Sequence, residues 1–418
     1  MALIVQKYGG TSVGSLDRIQ HVVSKVQETR QKGHDVVVVA SAMHGETDRL
    51  IQLAQKLSPQ PDSREYDALV STGEQVSTAL LAISLNAKNC PARSYTGQQI
   101  GIMTDGFHTD ARILDVKTEL MRQELACGRV VVVAGFQGTT SHGDTTTLGR
   151  GGSDTTAVAL AAALKADECQ IYTDVDGVYT TDPRLILEAR LLAEISFEEM
   201  LEMASLGAKV LQVRSVELAS QHNIPLRVLS TFHPGSGTLV TSEDKMIQKR
   251  TVSGIAFSRE EAIIALSGVP NCAGVEGYIL GKISDAHIEV DMITQSATGK
   301  DTIDLTFSVH RKNYMSAWNI ATQLAQELKA ASITNNPKVV KLSIVGIGMR
   351  TQTGVASTMF QALGKVGIPI QMITTSEIKI SVVIDEEYLE TGVRAVHQAF
   401  ELDKLPHKVQ ISMAETGS

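Results

Sequence analysis

Closely spaced cysteines are missing from this 418-residue chain: Cys90, Cys127, Cys169 and Cys272 lie far apart and form neither a CxxC pair nor a zinc-ligand spacing. A reducing compartment with free thiols is the simplest reading. The eleven histidines give no HxxxH or HExxH pattern. Positive charge is also short, with 38 Lys and Arg against 46 Asp and Glu for a net charge of −8, and there is no long basic run. Binding to nucleic acid or an anionic membrane therefore has little electrostatic basis, and small molecules are the expected partners. The amino terminus, "MALIVQKYGG", lacks a basic region followed by a long apolar stretch. No apolar run reads as approaching the roughly 20 residues of a membrane helix. A cytoplasmic protein with no membrane partner is expected.

What is present is enough apolar residue, 43%, to bury a sizeable core in two or three domains. Residues 2–6 are mostly apolar, and 15–32 carry Ile19, Val22, Val23 and Val26 on one helix face, with Gly33 as a stop. "DVVVVASAM" (35–43) is a continuous β-branched run of the kind buried on both faces of a parallel sheet. The same grammar recurs in "RVVVVAGFQG" (129–138) and "ECQIYTDVDGVY" (168–179). Each run ends in a polar or Gly-rich loop, where open α/β sheets bind ligands. The opening 240 residues thus read as a doubly wound α/β domain.

"KYGGTSVG" (7–14) places Lys7 before Gly9 and Gly10 at a strand-to-helix turn, where bare backbone N–H groups and a helix N-terminus suit an anion. The order is neither a P-loop nor GxGxxG. A second Gly-rich loop, "TTLGRGGSDTTA" (146–157), has Arg150 before it, Asp154 within it and an Ala-rich helix after it. "TDVDGVYTTDPR" (173–184) mixes hydroxyls, carboxylates, a tyrosine and an arginine, and "GAKVL" (207–211) sets Lys209 before an apolar segment. Two anion loops with two lysines and an arginine in an acidic protein make phosphoryl transfer the leading hypothesis.

Together with "VVASAM" followed by Thr47 and Asp48, and with "STGEQVS" (71–77), these motifs resemble the aspartokinases of the amino acid kinase superfamily. The resemblance implies an amino acid kinase-type αβα sandwich with a mainly parallel sheet. It also implies transfer of the ATP γ-phosphoryl group to the side-chain carboxylate of L-aspartate, the first step toward lysine, threonine and methionine. No general base is required, since the nucleophile is already a carboxylate. On this resemblance Lys7, Asp154 and Lys209 are catalytic. Lys7, Gly9, Gly10, Ser12, Thr173, Asp174, Tyr179, Asp182, Arg184 and Lys209 hold ATP. Ser41, Thr47, Glu74, Arg150, Gly151, Gly152 and Ser153 hold aspartate, with Arg150 on the α-carboxylate and Glu74 on the ammonium. Mg²⁺ is expected to ride on the nucleotide phosphates, with no protein metal ligand. Tyr179 also reads as a core residue, and Asp182 as a turn residue before Pro183.

After a polar stretch at 241–252, read as a linker, comes an internal repeat. "GVEGYILGKISDAHIEVDMITQS" from Gly274 aligns with "GVASTMFQALGKVGIPIQMITTS" from Gly354 at an offset of 80. Each copy reads βαββα, and one more strand gives the ferredoxin-like βαββαβ unit. The pair resembles two ACT domains, 253–335 and 336–418, following a catalytic domain over 1–240. By that resemblance Asn271, Gly274, Asp291, Thr294, Gln295, Ser296, Thr374, Ser376 and Glu377 bind an effector, lysine and in second place threonine. Gly367 and Pro369 stand where relatives inhibited by both often carry asparagine. The ACT domains are expected to mediate a homo-oligomer, a dimer or tetramer. Alternatives are a kinase of the same superfamily acting on another acid, and an inactive amino-acid sensor.

Overall fold

The computed structural model describes residues 1–208, 210–246, 250–298 and 301–404. These fall into two compact units, drawn from the described parts of Met1–Val178, Leu191–Ser205 and Lys209–Ile247, and of Tyr179–Arg190, Leu206–Ala208 and Gln248–Ser418.

The first unit is built on an eight-stranded sheet. Its strands are β1 (Leu3–Tyr8), β2 (Asp35–Ala40), β3 (Ala92–Tyr95), β4 (Val130–Ala134), β5 (Glu168–Thr173), β6 (Glu194–Ser196), β7 (Leu226–Ser230) and β8 (Thr238–Thr241). They run in the order β6-β8-β7-β5-β1-β2-β4-β3, and every neighbouring pair is parallel except β7 with β8. Val36–Val39 and Val130–Val133 are fully buried, as strands covered on both faces must be. Tyr8 pairs with both Ala40 and Tyr172, and Ala40 with Ala134, so β1, β2, β4 and β5 end on one edge. The loops that follow them, each singled out by composition, therefore emerge together.

Helix α1 (Leu16–Gln31) starts where the Ser15 side chain accepts the Arg18 N–H, and it buries the expected Ile19, Val22, Val23 and Val26. Two more helices matter for the site, α2 (Thr72–Ala87) and α3 (Gly152–Leu164). A smaller four-stranded sheet, formed by Ile102–Thr104, Ile113–Val116, Gln137–Thr139 and Thr145–Thr147, was not foreseen. The expectation about apolar runs also needs amending. Ser63–Ala87 is long and apolar enough to cross a membrane by length and composition alone. Its most apolar window is 56% buried within the fold, and it carries the buried carboxylates Asp67 and Glu74, which suit a core helix.

The second unit has one six-stranded sheet made of β9 (Gly254–Pro270), β10 (Val290–Ala297), β11 (Thr302–His310), β12 (Ser332–Val345), β13 (Met372–Thr375) and β14 (Lys379–Asp385). Their order is β10-β11-β9-β12-β14-β13. Helices α4 (Val275–Asp285) and α5 (Tyr314–Glu327) serve the first copy of the repeat, while α6 (Val355–Lys365) and α7 (Leu389–Ala399) serve the second. The 80-residue offset holds in detail: Gly274 and Gly354 both cap helices at φ 93° and 86°, a region that favours glycine. Ile288 and Ile368 are both buried.

β9 and β12 are each shared between the copies. Glu261–Ser267 pairs with the first half of β12, completing the βαββαβ unit of the first copy, whereas Gly254–Ser258 pairs with Lys341–Val345. The strand slot beside the second copy is thus filled by chain that precedes the first, so 253–335 and 336–418 do not separate cleanly. The edge strands β10 and β13 touch, and Met292 and Met372 share a buried cluster with Ile263, Val339 and Val383, so the sheet curls on itself.

Packing departs from chain order at one further place. Residues 179–190, expected within the catalytic domain, belong to the second unit, where Ile186 is buried among Val252, Ile255, Val340 and Val393. Thr180 receives the Ile255 N–H at 2.7 Å and its hydroxyl lies 3.0 Å from His397 Nε2. The expected linker 241–252 includes Val252, which is also core; its residues 247–249 lie outside the described residues.

Candidate active site

Lys7 is the penultimate residue of β1 and Asp154 lies in the first turn of α3. Their side chains meet at 2.6 Å, both about nine-tenths buried. The two Gly-rich motifs are thereby joined by one ion pair, and the carboxylate fixes the ammonium beside the first turn. Gly9 presents its α-carbon there: a Cβ on it would lie 3.5 Å from Lys7 Nζ. At Gly10 a Cβ would stand 3.0 Å from the Ala42 carbonyl, so the loop after β2 closes on this turn.

Inside the turn, Gly9 donates to the Tyr172 carbonyl at 3.3 Å and Ser12 N–H donates to the Gly9 carbonyl. Ser12, expected to hold phosphate, is fully buried with its hydroxyl 2.6 Å from Thr231 Oγ1. Among the described residues the backbone N–H groups of Gly10 and Thr11 make no hydrogen bond. They are the amides that the turn leaves for an anion.

Glu74, in the first turn of α2, is 3% exposed. Its Oε1 accepts the Ala42 N–H at 3.1 Å, while Oε2 is buried without a hydrogen-bond partner. Desolvation outweighs the backbone bonds and pushes its carboxyl up to about 7. Ser77 Oγ donates to the Ser41 carbonyl at 2.7 Å, so Ser41, Ala42 and Glu74 form one cluster, with Thr47 in the first turn of the next helix. A buried, half-satisfied carboxylate of this kind fits an incoming ammonium.

The loop before α3 is shaped by Gly151 at φ 75°, where a Cβ would come within 2.0 Å of Gln212 Cγ. Gly152 and Ser153 are mostly or wholly covered, and Arg150 is exposed. Thr173 ends β5 and its hydroxyl donates to Asp174 at 3.1 Å. Asp182 and Arg184 pair with each other at 2.9 Å, and Asp182 also accepts the Arg184 N–H, the turn geometry weighed from sequence. With Tyr179 they belong to the second unit. Lys209 lies outside the described residues.

The amino acid kinase family model matches residues 2–230, more than half of the chain, and an ACT domain model matches 342–400. An aspartate kinase of Pseudomonas fluorescens is 60% identical over 406 residues, covering 96% of this chain and 98% of the relative. The chain belongs to the aspartate kinase family. Among solved structures, E. coli aspartokinase III in complex with aspartate and ADP, described as the R-state, superposes with a TM-score of 0.75 at 25% identity, covering 95% of this chain and 99% of that one. The same enzyme with lysine and aspartate, described as the T-state, gives 0.74 at 25% identity with the same coverage. This chain is accordingly an enzyme of the aspartate kinase family, with an α/β kinase fold followed by ferredoxin-like ACT units.

Two residues escaped the family motifs. Asp67 is fully buried and accepts from Thr109 N (2.9 Å), Thr147 N (3.0 Å) and Thr147 Oγ1 (2.6 Å), with His108 Nδ1 at 3.0 Å. It ties down the strand that leads into Gly149–Asp154. Thr231 caps β7, and its N–H bonds the Thr173 carbonyl at 2.8 Å. It links the first Gly-rich turn to the end of β5. A polar residue at the end of a buried parallel strand was the available signal for Thr231; for Asp67, one of several charged residues in a short polar helix, there was none.

In the second unit, Asp291, Thr294, Gln295 and Ser296 lie on edge strand β10, and Gln295 donates to Glu276 in the first turn of α4 at 3.0 Å, next to Gly274. Asn271 N–H bonds the Asp301 carbonyl at 2.8 Å. Thr374 is on the opposite edge, β13, and Ser376 and Glu377 follow it; Glu377 pairs with Arg350 at 3.4 Å.

Proposed function

We propose that the first unit transfers the γ-phosphoryl group of ATP to the side-chain carboxylate of L-aspartate, giving 4-phospho-L-aspartate and ADP. The observation that carries this is the buried Lys7–Asp154 pair at the edge where the glycine-rich turns end. Lys7, held by Asp154, neutralises charge that develops on the transferring group. The Gly10 and Thr11 amides receive phosphate oxygens, with Gly9 and Ser12 shaping the turn. Glu74 Oε2 takes the substrate ammonium and Ser41 and Thr47 border it, while Arg150 receives the α-carboxylate beside Gly151, Gly152 and Ser153. Thr173 and Asp174 serve the nucleotide, and by family resemblance so do Tyr179, Asp182, Arg184 and Lys209.

Mg²⁺ would accompany the nucleotide. It would be held mainly by the phosphates and water, screening their charge.

The ACT units are proposed to bind lysine, with threonine second, through Asn271, Gly274, Asp291, Thr294, Gln295, Ser296, Thr374, Ser376 and Glu377. The lysine-bound relative supports this. Ile293 and Ile373, 49% and 42% exposed on the two edge strands, suit an ACT-mediated dimer or tetramer. A catalytic domain over 1–240, a linker at 241–252 and ACT domains over 253–335 and 336–418 remain the proposed division in chain order, subject to the exchanges at 179–190 and in β9 and β12. Such an enzyme would open the route to lysine, threonine and methionine and be inhibited by its product. The test is ADP release with ATP, Mg²⁺ and L-aspartate, repeated with lysine, threonine and both. Aspartate-dependent turnover suppressed by lysine is expected; turnover that ignores aspartate overturns the assignment.

A further inference from the structure

The second unit holds a charged group under its curled sheet. Lys341 on β12 is 6% exposed; its Nζ bonds Asp291 on edge strand β10 and stands 3.6 Å from Glu261 Oε1 on β9. Glu261, 7% exposed, also takes the Ser258 hydroxyl at 3.2 Å on Oε1. Its Oε2 is buried without a hydrogen-bond partner. One ammonium is thus shared by two carboxylates, and the shorter bond goes to the one whose side chain is 44% exposed. A buried carboxylate oxygen without a donor is costly, so the arrangement has a second pairing within reach. Burial accordingly pushes the Glu261 carboxyl up from its ordinary value, against the pull of Lys341.

Asp291 is also a residue assigned above to the effector. We propose that Lys341 is a built-in occupant of an ammonium position at Asp291, and that an amino-acid effector docks by displacing Lys341, which then closes on Glu261. The proposal rests on the effector reading of Asp291 and adds the exchange to it. Before binding one ammonium serves two carboxylates, closely at Asp291 and loosely at Glu261. Afterwards there are two pairs, ligand ammonium with Asp291 and Lys341 with Glu261. The second pair bridges β9 and β12, the antiparallel pair that both ACT copies share. An event at an exposed edge is thereby written into the central ladder, which gives the ligand the differential contact that any shift of state requires.

The experiment uses the full-length enzyme, with L-lysine titrated by calorimetry and by inhibition of ADP release. Glu261→Gln removes the charge that receives Lys341, and lysine affinity is expected to fall about three- to tenfold, the net worth of one hydrogen bond. Lys341→Met removes the occupant, and affinity is expected to rise by a similar factor. The double variant Lys341→Met/Glu261→Gln carries the same expectation without leaving a buried lone charge, which covers the case in which the single variant fails to fold. Unchanged affinity in all three, or weaker binding in the double variant, overturns the exchange. Asp291→Asn separates the two layers. If wild type and Asp291→Asn bind lysine equally, or neither binds it, the effector reading of Asp291 falls and the exchange with it. If only wild type binds while the Lys341 and Glu261 variants match it, the exchange alone falls.

Discussion

In the first unit Lys7 meets Asp154 at 2.6 Å, and Glu74 lies apart from them on α2 with one oxygen on a backbone amide and the other unpartnered. In the second unit Lys341 meets Asp291 and also has Glu261 within 3.6 Å, again with one oxygen unpartnered. The residue types match, and the spacing differs. Where the glutamate stands apart, the chain supplies no lysine to it, and under the proposed function a substrate ammonium does so while Lys7, held by Asp154, faces the phosphate. Where the glutamate shares the lysine, the chain supplies its own cation and a ligand must compete for it. The first arrangement suits a site that binds two substrates at once, the second a site that toggles.

The strongest way to break this comparison is Lys7→Met. If Lys7 faces the transferring group, turnover should fall about 10³-fold, the cost of removing one preorganised charge donor. Steady-state ADP release at saturating aspartate measures it, and a loss under tenfold would mean that the Lys7–Asp154 pair is structural. Asp67→Ala comes next. Its carboxylate is buried yet satisfied by three hydrogen bonds and by His108 at 3.0 Å. Removing it should cost about 3 kcal/mol of stability, because every donor is left without its acceptor. Urea denaturation gives that number.

Glu74→Gln sharpens the contrast. Aspartate kcat/KM should fall about 100-fold through loss of a buried partner for the ammonium, with ATP affinity nearly unchanged. In wild type the carboxyl sits at about 7, so kcat/KM for aspartate should drop about tenfold per pH unit below that value, and the variant should lose this limb. Stability follows with a definite sign. The folded-state value is raised, so the protonated glutamate stabilises fully below about 4.5, and the contribution is lost as pH rises toward about 7. The melting temperature of Glu74→Gln should therefore gain on wild type between pH 5 and 8.

Much of this was legible where short-range physics decides. The β-branched valine runs at 36–39 and 130–133 suited strands buried on both faces, the spacing of Ile19, Val22, Val23 and Val26 marked α1, and paired motifs 80 residues apart marked the repeated unit. Asp154 was found in a Gly-rich loop that leads into an Ala-rich stretch, and Glu74 through the family resemblance of 71–77. What stayed hidden depends on distant partners. Leu185 and Ile186 look like any apolar pair after a turn, and only tertiary packing sends them to the second unit. Gly254–Ser258 reads as the start of a strand, yet its partner lies some 90 residues on. Lys341 stands in an apolar run, and nothing local says that two carboxylates from other strands will reach it.

The smallest effect separates two hydroxyl pairs. Ser12 Oγ lies 2.6 Å from Thr231 Oγ1 under the glycine turn, and Ser343 Oγ lies 2.7 Å from Ser381 Oγ between β12 and β14; all four residues are buried. Thr231→Val and Ser381→Ala each delete one partner and leave a hydroxyl unsatisfied, which costs about 1 kcal/mol in either place. Their readouts should part. Ser12 anchors the turn whose Gly10 and Thr11 amides are proposed to receive phosphate, so Thr231→Val should also raise the KM for ATP a few-fold, since a slightly misplaced donor is a weaker one. Ser381 pairs with β12 only inside the sheet, and its loss should appear in denaturation alone. If both variants leave the KM for ATP untouched, the first turn is held by its backbone and Thr231 is merely packing; if Thr231→Val raises it, the hydroxyl beneath the turn helps to set the phosphate site.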